Sequence, residues 1–99
     1  MPDYYLSRKA VKDLSDIWNY TYDHWSENQA DRYYHMLLDS FQNIAIHPDK
    51  GKEYDGIFPN LLGYRVQKHI IFYRIGQPDG IEITRILHEK MDLNRRMLE

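Results

Sequence analysis

The stretch "HIIFYRIGQPDGIEITRILHEKMD", residues 69–92, decides the fold of this chain of 99 residues. Residues 69–75 and 81–88 are rich in β-branched and aromatic side chains, which favour extended strands. The segment GQPDG, residues 76–80, predicts a hairpin turn between them. Asp92 is a typical helix cap, so we expect a short helix after it.

The sequence before this stretch predicts one strand and two helices. Residues 3–6 favour a strand, and Ser7 is a candidate N-cap for a helix that ends near Asp23. The segment SENQ, residues 26–29, has the form of a capping box and predicts the start of a second helix. Pro48 ends that helix, because the residue before a proline disfavours helical geometry. Since the connection between the helices is short, they form an antiparallel αα-hairpin.

Three strands with short links predict an antiparallel meander. Residues 61–67 are the first of these strands, after a loop over residues 50–60 that is rich in glycine, proline and aspartate. The link to the next strand, near Lys68, is tight. We therefore predict one α+β domain over residues 1–99. It has an N-terminal strand, an αα-hairpin packed on one face of the sheet, the meander and a short C-terminal helix.

Side chains alternate between the two faces of a strand, which predicts what each face carries. In the last strand we expect Ile81, Ile83, Arg85 and Leu87 on one face, and Glu82, Thr84, Ile86 and His88 on the other. Residues 69–75 are apolar on both faces and so require cover on both. The two helices cover one face. The other is either an open groove awaiting a partner or is covered by the C-terminal helix and the 50–60 loop.

Composition excludes several classes of protein. Without cysteine the chain has no disulfide and no thiolate metal site. No segment has the features of a signal peptide or the length of a membrane span, so we expect a cytoplasmic protein with no membrane partner. The net charge of −2 argues against a general nucleic-acid binder. The charge is uneven: residues 1–60 carry six basic and ten acidic side chains, and residues 61–99 carry seven and five.

Three arginines fall on successive predicted strands. Arg65, Arg74 and Arg85 are suited to phosphates and carboxylates, because a guanidinium donates two parallel hydrogen bonds. If they converge on one surface, they form a binding site. The alternative is that each arginine pairs with an acidic neighbour, such as Glu82, Glu89 or Asp92.

His88 is the main candidate for acid–base chemistry, since histidine side chains titrate near neutral pH. A ribonuclease would need it beside an arginine and a second proton-transfer group. The alternative is that His88 orients the turn after its strand, through a hydrogen bond to Asp92 or to a backbone group. Because His69, His88 and Asp92 lack a compact ligand spacing, we predict no metal site. No cofactor motif is present in the sequence, so we predict no cofactor.

Several motifs together resemble one known family. Leu6-Ser7, Ala10, Asp13-Leu14, Ile17 and Tyr20 form the pattern LS-x-x-A-x-x-DL-x-x-I-x-x-Y. This pattern is similar to the opening of ParE-type toxins in the RelE/ParE superfamily. The segment "QADRYYHMLLDSF" is similar to that family's second helix. "HIIFYRI" and "DGIEITRILHEKMD" resemble its C-terminal strands and His-x-x-x-Asp ending. The resemblance covers nearly the whole chain.

The resemblance implies the toxin half of a type II toxin–antitoxin pair. A ParD-like antitoxin would wrap its C-terminal segment around the toxin in a hetero-oligomer, and sequence-specific DNA binding would belong to the antitoxin. ParE members inhibit DNA gyrase, trap it on broken DNA and halt replication and growth. RelE members instead cleave mRNA in the ribosomal A site.

Departures from the RelE pattern favour gyrase inhibition without enzymatic catalysis. Lysines on the predicted sheet are scarce and no tyrosine follows His88. The negative net charge is also unfavourable for a protein that must seat between RNA strands. A ribosome-dependent endonuclease and an inactive, antitoxin-binding remnant stay as alternatives.

The predicted partner-binding residues lie on the last strands and at the basic C-terminal end. They are Arg65, Phe72, Arg74, Ile86, His88, Arg95 and Arg96. If the chain is a nuclease, Arg65, Arg85 and His88 form its candidate acid–base set; if it is not, we expect no catalytic residue.

Overall fold

The computed structural model describes residues 3–76 and 80–98, and it has the predicted α+β architecture with one further short strand. In chain order the elements are β1 (Tyr4–Leu6), α1 (Arg8–His24), α2 (Glu27–Ile46), β2 (Lys52–Glu53), β3 (Leu62–Val66), β4 (His69–Ile75), β5 (Ile81–His88) and α3 (Leu93–Met97). A 3₁₀ turn, Pro48–Lys50, follows α2. The hairpin turn predicted at 76–80 lies partly outside the described residues. None of the described helices combines the length and the apolarity needed to cross a bilayer.

The five strands form one mixed sheet in the order β1-β5-β4-β3-β2. Strands β3, β4 and β5 pair antiparallel and confirm the predicted meander. Strand β1 pairs with β5 in parallel, with Tyr4 beside Ile81 and Leu6 beside Ile83. Strand β2 lies within the predicted 50–60 loop and pairs with β3 at the far edge. A two-residue strand has too little alternation to be recognised in a sequence.

Each helix begins at its predicted cap. The Ser7 hydroxyl accepts a hydrogen bond from the amide three residues later at 3.0 Å, and the Ser26 hydroxyl does the same at 3.1 Å. The Asp92 carboxylate caps α3 in the same way at 3.2 Å. These bonds satisfy amide groups that a helix leaves without a partner at its start.

A β-bulge at Thr84 changes the course of β5. Phe72 of β4 lies opposite Arg85, but the next residue, Tyr73, lies opposite Ile83, so Thr84 is an extra residue in β5. The Thr84 hydroxyl donates to the Phe72 carbonyl at 3.1 Å. The Thr84 carbonyl accepts from the hydroxyl of the α1 cap at 2.7 Å. Both neighbours of β5 therefore hold the bulge in place.

The bulge makes the predicted alternation wrong beyond Ile83. Ile86 packs with Ile83 in the core beneath the helices, whereas Leu87 packs on the opposite face. Because strand residues alternate, Arg85 shares the face of Leu87, and His88 shares the face of Ile86. Arg85 and Leu87 thus lie across the sheet from Ile83, and not beside it as the sequence predicted.

Both faces of the sheet are covered. On the first face α1 and α2 enclose the main core, which contains Leu37, Phe41, Ile44, Ile71, Tyr73 and Ile83 among its fully buried members. On the second face a smaller core of Leu61, Ile70, Phe72 and Leu87 lies beneath Tyr54, Ile57, Leu93 and Met97. The C-terminal helix and the 50–60 segment therefore cover this face, as one of the two alternatives predicted. An open groove on the second face is excluded.

Tyr54 covers the second face because Gly63 leaves room for its ring. The rings of Tyr54 and Phe72 meet edge to face with their centroids 5.1 Å apart. A Cβ atom at Gly63 would lie only 2.5 Å from the Tyr54 ring, so a larger residue at this position would displace the cover.

Candidate partner-binding groove at the edge of the sheet

Strand β5 has an open edge, and helix α1 runs beside it. Because β1 is short, it pairs only with the beginning of β5, and the part of β5 beyond the bulge has no neighbouring strand on that side. A groove of about 710 Å³ lies between α1, this edge and the segment that follows β5. We call it the edge groove. Its lining includes Ile17, Tyr20 and Thr21 from α1, Ile86 and His88 from β5, and Met91 after it.

The edge groove contains backbone groups that can bind another chain. Pairing with β4 uses the backbone of residues 85, 87 and 89, as the bond from the Glu89 amide to the Lys68 carbonyl at 2.8 Å indicates. The backbone groups of Ile86 and His88 consequently face the groove. The Ile86 amide donates to Asp13 at 3.0 Å, and the His88 carbonyl accepts from an amide in the turn after β5. The Ile86 carbonyl and the His88 amide have no hydrogen-bond partner among residues 3–76 and 80–98.

Arg85 fixes the walls of the groove. Its Nε and Nη2 atoms donate to the two carboxylate oxygens of Asp13 in α1, at 2.8 and 3.0 Å. Its Nη1 atom donates to the backbone carbonyl of Arg96 in α3 at 2.6 Å. The side chains of Arg85 and Asp13 are only 10% and 12% exposed. One guanidinium therefore joins α1, β5 and α3.

The acidic partner of Arg85 differs from those considered in the sequence. We expected Glu82, Glu89 or Asp92, all near it in the chain. The partner is Asp13, 72 positions away, because the bulge redirects the Arg85 side chain and α1 lies alongside the open edge. The sequence did contain a signal for this contact. Asp13 lies between the helix-core positions Ala10 and Leu14, where a charged side chain needs a buried partner.

Of the three candidate nuclease residues, Arg85 and His88 both line the edge groove, and Arg65 is not part of its lining. Arg85 is buried in its ion pair, and Arg65 is ion-paired with Glu89 near the second face. His88 lies on the first face, and its Nδ1 atom accepts from the Lys90 amide at 3.1 Å. This bond confirms the alternative that His88 orients the turn through a backbone group.

In the sequence, His69 stands out only as a possible metal ligand. It lies across the strand pair from His88, with the ring centroids 5.3 Å apart. Its Nδ1 atom is 2.7 Å from the Tyr33 hydroxyl, which also donates to the Val66 carbonyl at 3.1 Å. Burial lowers the pKa of His69 to about 4, with a smaller effect from His88, and burial raises the pKa of Tyr33 to about 12. Both side chains are therefore neutral at pH 7.

The other predicted contact residues lie in different surroundings. Phe72 is fully buried in the second core and offers no surface to a partner. Ile86 is buried too but borders the edge groove. Arg74 is exposed opposite Glu82, and Arg95 and Arg96 are exposed on α3. Their role in binding stays a prediction. Among the described residues, no three His, Cys, Asp or Glu side chains are grouped to hold a metal ion.

A profile of the family described as "ParE toxin of type II toxin-antitoxin system, parDE" matches residues 4–93 of the chain. The chain belongs to the ParE toxin family. This membership confirms the resemblance drawn from the motifs in α1, α2 and the last two strands.

Curated relatives agree with the assignment to ParE. The chain is 34% identical to Toxin ParE1 of Mycobacterium tuberculosis, over 95% of its own length and 96% of the relative. It is 36% identical to Toxin ParE1 of Caulobacter vibrioides, over 93% and 94% of the two chains. A solved structure, "Chromosomal ParDE TA system from P. aeruginosa", has a similar fold. The TM-score between the two structures is 0.74 at 17% sequence identity, and the match covers 89% of this chain and 95% of that one.

The Asp13–Arg85 pair gives a testable prediction for this ParE toxin. Asp13→Ala removes a carboxylate that accepts from the buried Arg85 guanidinium and from the Ile86 amide, so we expect the free energy of unfolding to fall by about 3–5 kcal/mol. Urea denaturation followed by circular dichroism measures the change. Asp16→Ala, one turn along α1 and paired only at the surface with Lys12, is the matched control and should leave the midpoint unchanged. Equal midpoints for the two variants would contradict the central role of the pair.

The buried neutral His69 predicts a loss of stability in acid. Its pKa in the folded protein, about 4, lies below the ordinary value of 6.5, so the unfolded chain binds the proton more tightly. The stabilising contribution of neutral His69 is complete above pH 6.5 and is lost as the pH falls towards 4. We expect His69→Gln to show a shallower decline of the urea midpoint over this range than the wild type does. The exposed His35→Gln variant should decline as steeply as wild type, and identical slopes for all three proteins would refute the prediction.

Proposed function

We propose that this ParE toxin inhibits DNA gyrase and thereby blocks replication, and that a ParD-like antitoxin neutralises it by binding in the edge groove. The observation that carries the first part is that Arg65, Arg85 and His88 are already engaged in other contacts. Acid–base catalysis needs proton-transfer groups within hydrogen-bond reach of one reacting centre, whereas Arg65 and Arg85 are ion-paired and the Nδ1 atom of His88 accepts from a backbone amide. Their arrangement favours inhibition by binding over cleavage of RNA.

The net charge of the chain favours a protein over a nucleic acid as its target. The net charge of −2 gives no general attraction for a nucleic-acid backbone. Gyrase is a protein that works in the cytoplasm, and we expect the toxin and its antitoxin to act there, without a cofactor and without direct recognition of a DNA sequence by the toxin.

The edge groove has the features of a site for an antitoxin segment. The carbonyl of Ile86 and the amide of His88 are available to a chain laid along β5, which is how extended peptides add to a sheet edge. Ile17, Tyr20 and Met91 provide apolar surface beside these groups. An antitoxin segment in this groove would contact α1 and β5 together.

A supercoiling assay with purified gyrase tests the proposed target. We expect the toxin alone to reduce supercoiling of a plasmid and to cause linear DNA to accumulate, and we expect prior mixing with its antitoxin to prevent both effects. If the folded toxin leaves gyrase unaffected, the proposal is wrong. Cleavage of ribosome-bound mRNA, and its dependence on His88, would then be the measurement that decides for a nuclease.

Substitutions of two equally exposed tyrosines test whether the antitoxin binds in the edge groove. Tyr20 lines the edge groove and Tyr5 lies on β1, and each is 61% exposed. Because truncating an aromatic contact typically costs more than 1 kcal/mol of binding energy, we expect Tyr20→Ala to weaken antitoxin binding by about tenfold. Tyr5→Ala should bind like the wild type. Isothermal titration calorimetry measures both affinities, and unchanged binding by Tyr20→Ala would place the antitoxin elsewhere.

A further inference from the structure

Helix α1 carries a second exposed surface, on the side away from the edge groove. Trp18 and Tyr22 are four residues apart in α1 and so lie on one side of the helix, and Trp25 is the residue directly after the helix end. Tyr22 is 50% exposed and Trp25 is 71% exposed. We call these three residues the aromatic face. They lie at the end of the αα-hairpin, and neither the core nor the edge groove accounts for them.

Two of the three side chains of the aromatic face, Trp18 and Tyr22, are held in a fixed arrangement. The rings of Trp18 and Tyr22 are stacked, with centroids 5.2 Å apart and planes inclined by 17°. The Trp18 indole Nε1 donates to the Asp31 carboxylate at 3.0 Å, which ties the stack to α2. Side chains that are already ordered lose little entropy on binding, and tryptophan and tyrosine are the residues that most often dominate the energy of an interface.

The surroundings of the aromatic face are acidic. Residues 17–31 contain three carboxylates and no lysine or arginine. The three side chains are Asp23, Glu27 and Asp31, all exposed. Asp31 is bonded to Trp18, and Glu27 lies one turn before it on α2. This charge repels a nucleic-acid backbone and complements a protein surface that carries arginine or lysine.

The aromatic face and the edge groove are centred on different sides of α1. At 100° per residue, Tyr20 in the groove is turned by about 200° from Trp18, whereas Thr21 at the margin of the groove is turned from it by only about 60°. An antitoxin segment that contacts Tyr20 therefore leaves Trp18 and Tyr22 open to a different occupant.

We propose, resting on the function proposed above, that the aromatic face is the surface by which the toxin binds its target protein, at a basic patch of that target. Arginine and lysine side chains of the target lie over the rings of Tyr22 and Trp25, where the ring faces attract a cation. Glu27 and its acidic neighbours add complementary charge around them. An enzyme that holds DNA carries such basic patches for the phosphate backbone.

Substitutions of exposed residues test the proposal without endangering the fold. Trp25 makes no stacked pair with any of residues 3–76 and 80–98, and the amide that closes α1 belongs to its backbone. Trp25→Ala therefore leaves both the Trp18–Tyr22 stack and the helix end in place. Tyr22→Ala is the second variant, and Tyr5→Ala is the exposed control. Circular dichroism and the urea midpoint confirm that each variant is folded.

Growth arrest on induced expression, antitoxin affinity and gyrase supercoiling are the three readouts. We expect that at least about tenfold more of the Trp25→Ala or Tyr22→Ala toxin than of the wild type is needed for the same growth arrest and the same loss of supercoiling. Loss of an interface hot spot typically weakens binding by such a factor. Their affinity for the antitoxin, and all readouts for Tyr5→Ala, should match the wild type. Glu27→Gln should weaken gyrase inhibition less, and inhibition by the wild type should decline as salt is raised.

Two results would overturn the proposal. One is full toxicity of both aromatic variants, and the other is a loss of antitoxin affinity in both variants, which would place the antitoxin on the aromatic face. The growth readout does not depend on which protein is the target. A wild-type toxin that arrests growth but leaves gyrase unaffected would refute gyrase as the target, and the aromatic variants would still decide the role of the face. A wild-type chain that arrests no growth would refute both proposals.

Discussion

The ion pair between Asp13 and Arg85 is the interaction on which the candidate site depends. Strand β1 ends after three residues, so most of β5 would be a bare edge if α1 did not lie beside it. Asp13 makes that position possible, because its carboxylate accepts from the Arg85 guanidinium and also from the Ile86 amide. Arg85 in turn holds α3 through the Arg96 carbonyl. The groove is thus formed by one buried charge pair whose hydrogen bonds come from three elements.

The helices, their caps and the meander were predictable because local signals decide them. Ser7, Ser26 and Asp92 each act within three residues of their position. The bulge at Thr84 was not predictable, since bonds to distant parts of the chain hold it. That single extra residue placed Arg85 on the face opposite to the predicted one, where it pairs with Asp13 of α1 and not with an acidic residue near it in the sequence. The edge groove depends on the same tertiary contacts, so no local sequence pattern predicts it.

The side chains of helix α1 point into three different surroundings. Ala10 and Leu14 face the core, Tyr20 faces the groove and Trp25 faces solvent beyond the hairpin. If the antitoxin and the target bind at the two surfaces proposed for them, this arrangement has a physical consequence. An antitoxin could then reach a toxin that is already bound to its target, because the two partners would not compete for the same side chains. The antitoxin would then bind free toxin and target-bound toxin at the same site, and the two cases would differ only in which partner the toxin meets first.

The parallel pairing of β1 with β5 bears on how the protein is made. Ser7 and Thr84 are bonded to each other across 77 positions of sequence, and β1 has no other neighbour in the sheet. A chain growing on the ribosome can form the helical hairpin early, but its first strand has no place to pair until the last strand has been synthesised. Arg85, which holds the groove together, arrives at the same late stage. A prematurely terminated chain therefore lacks both the completed sheet and the edge groove, and only a nearly full-length product can reach the complete fold.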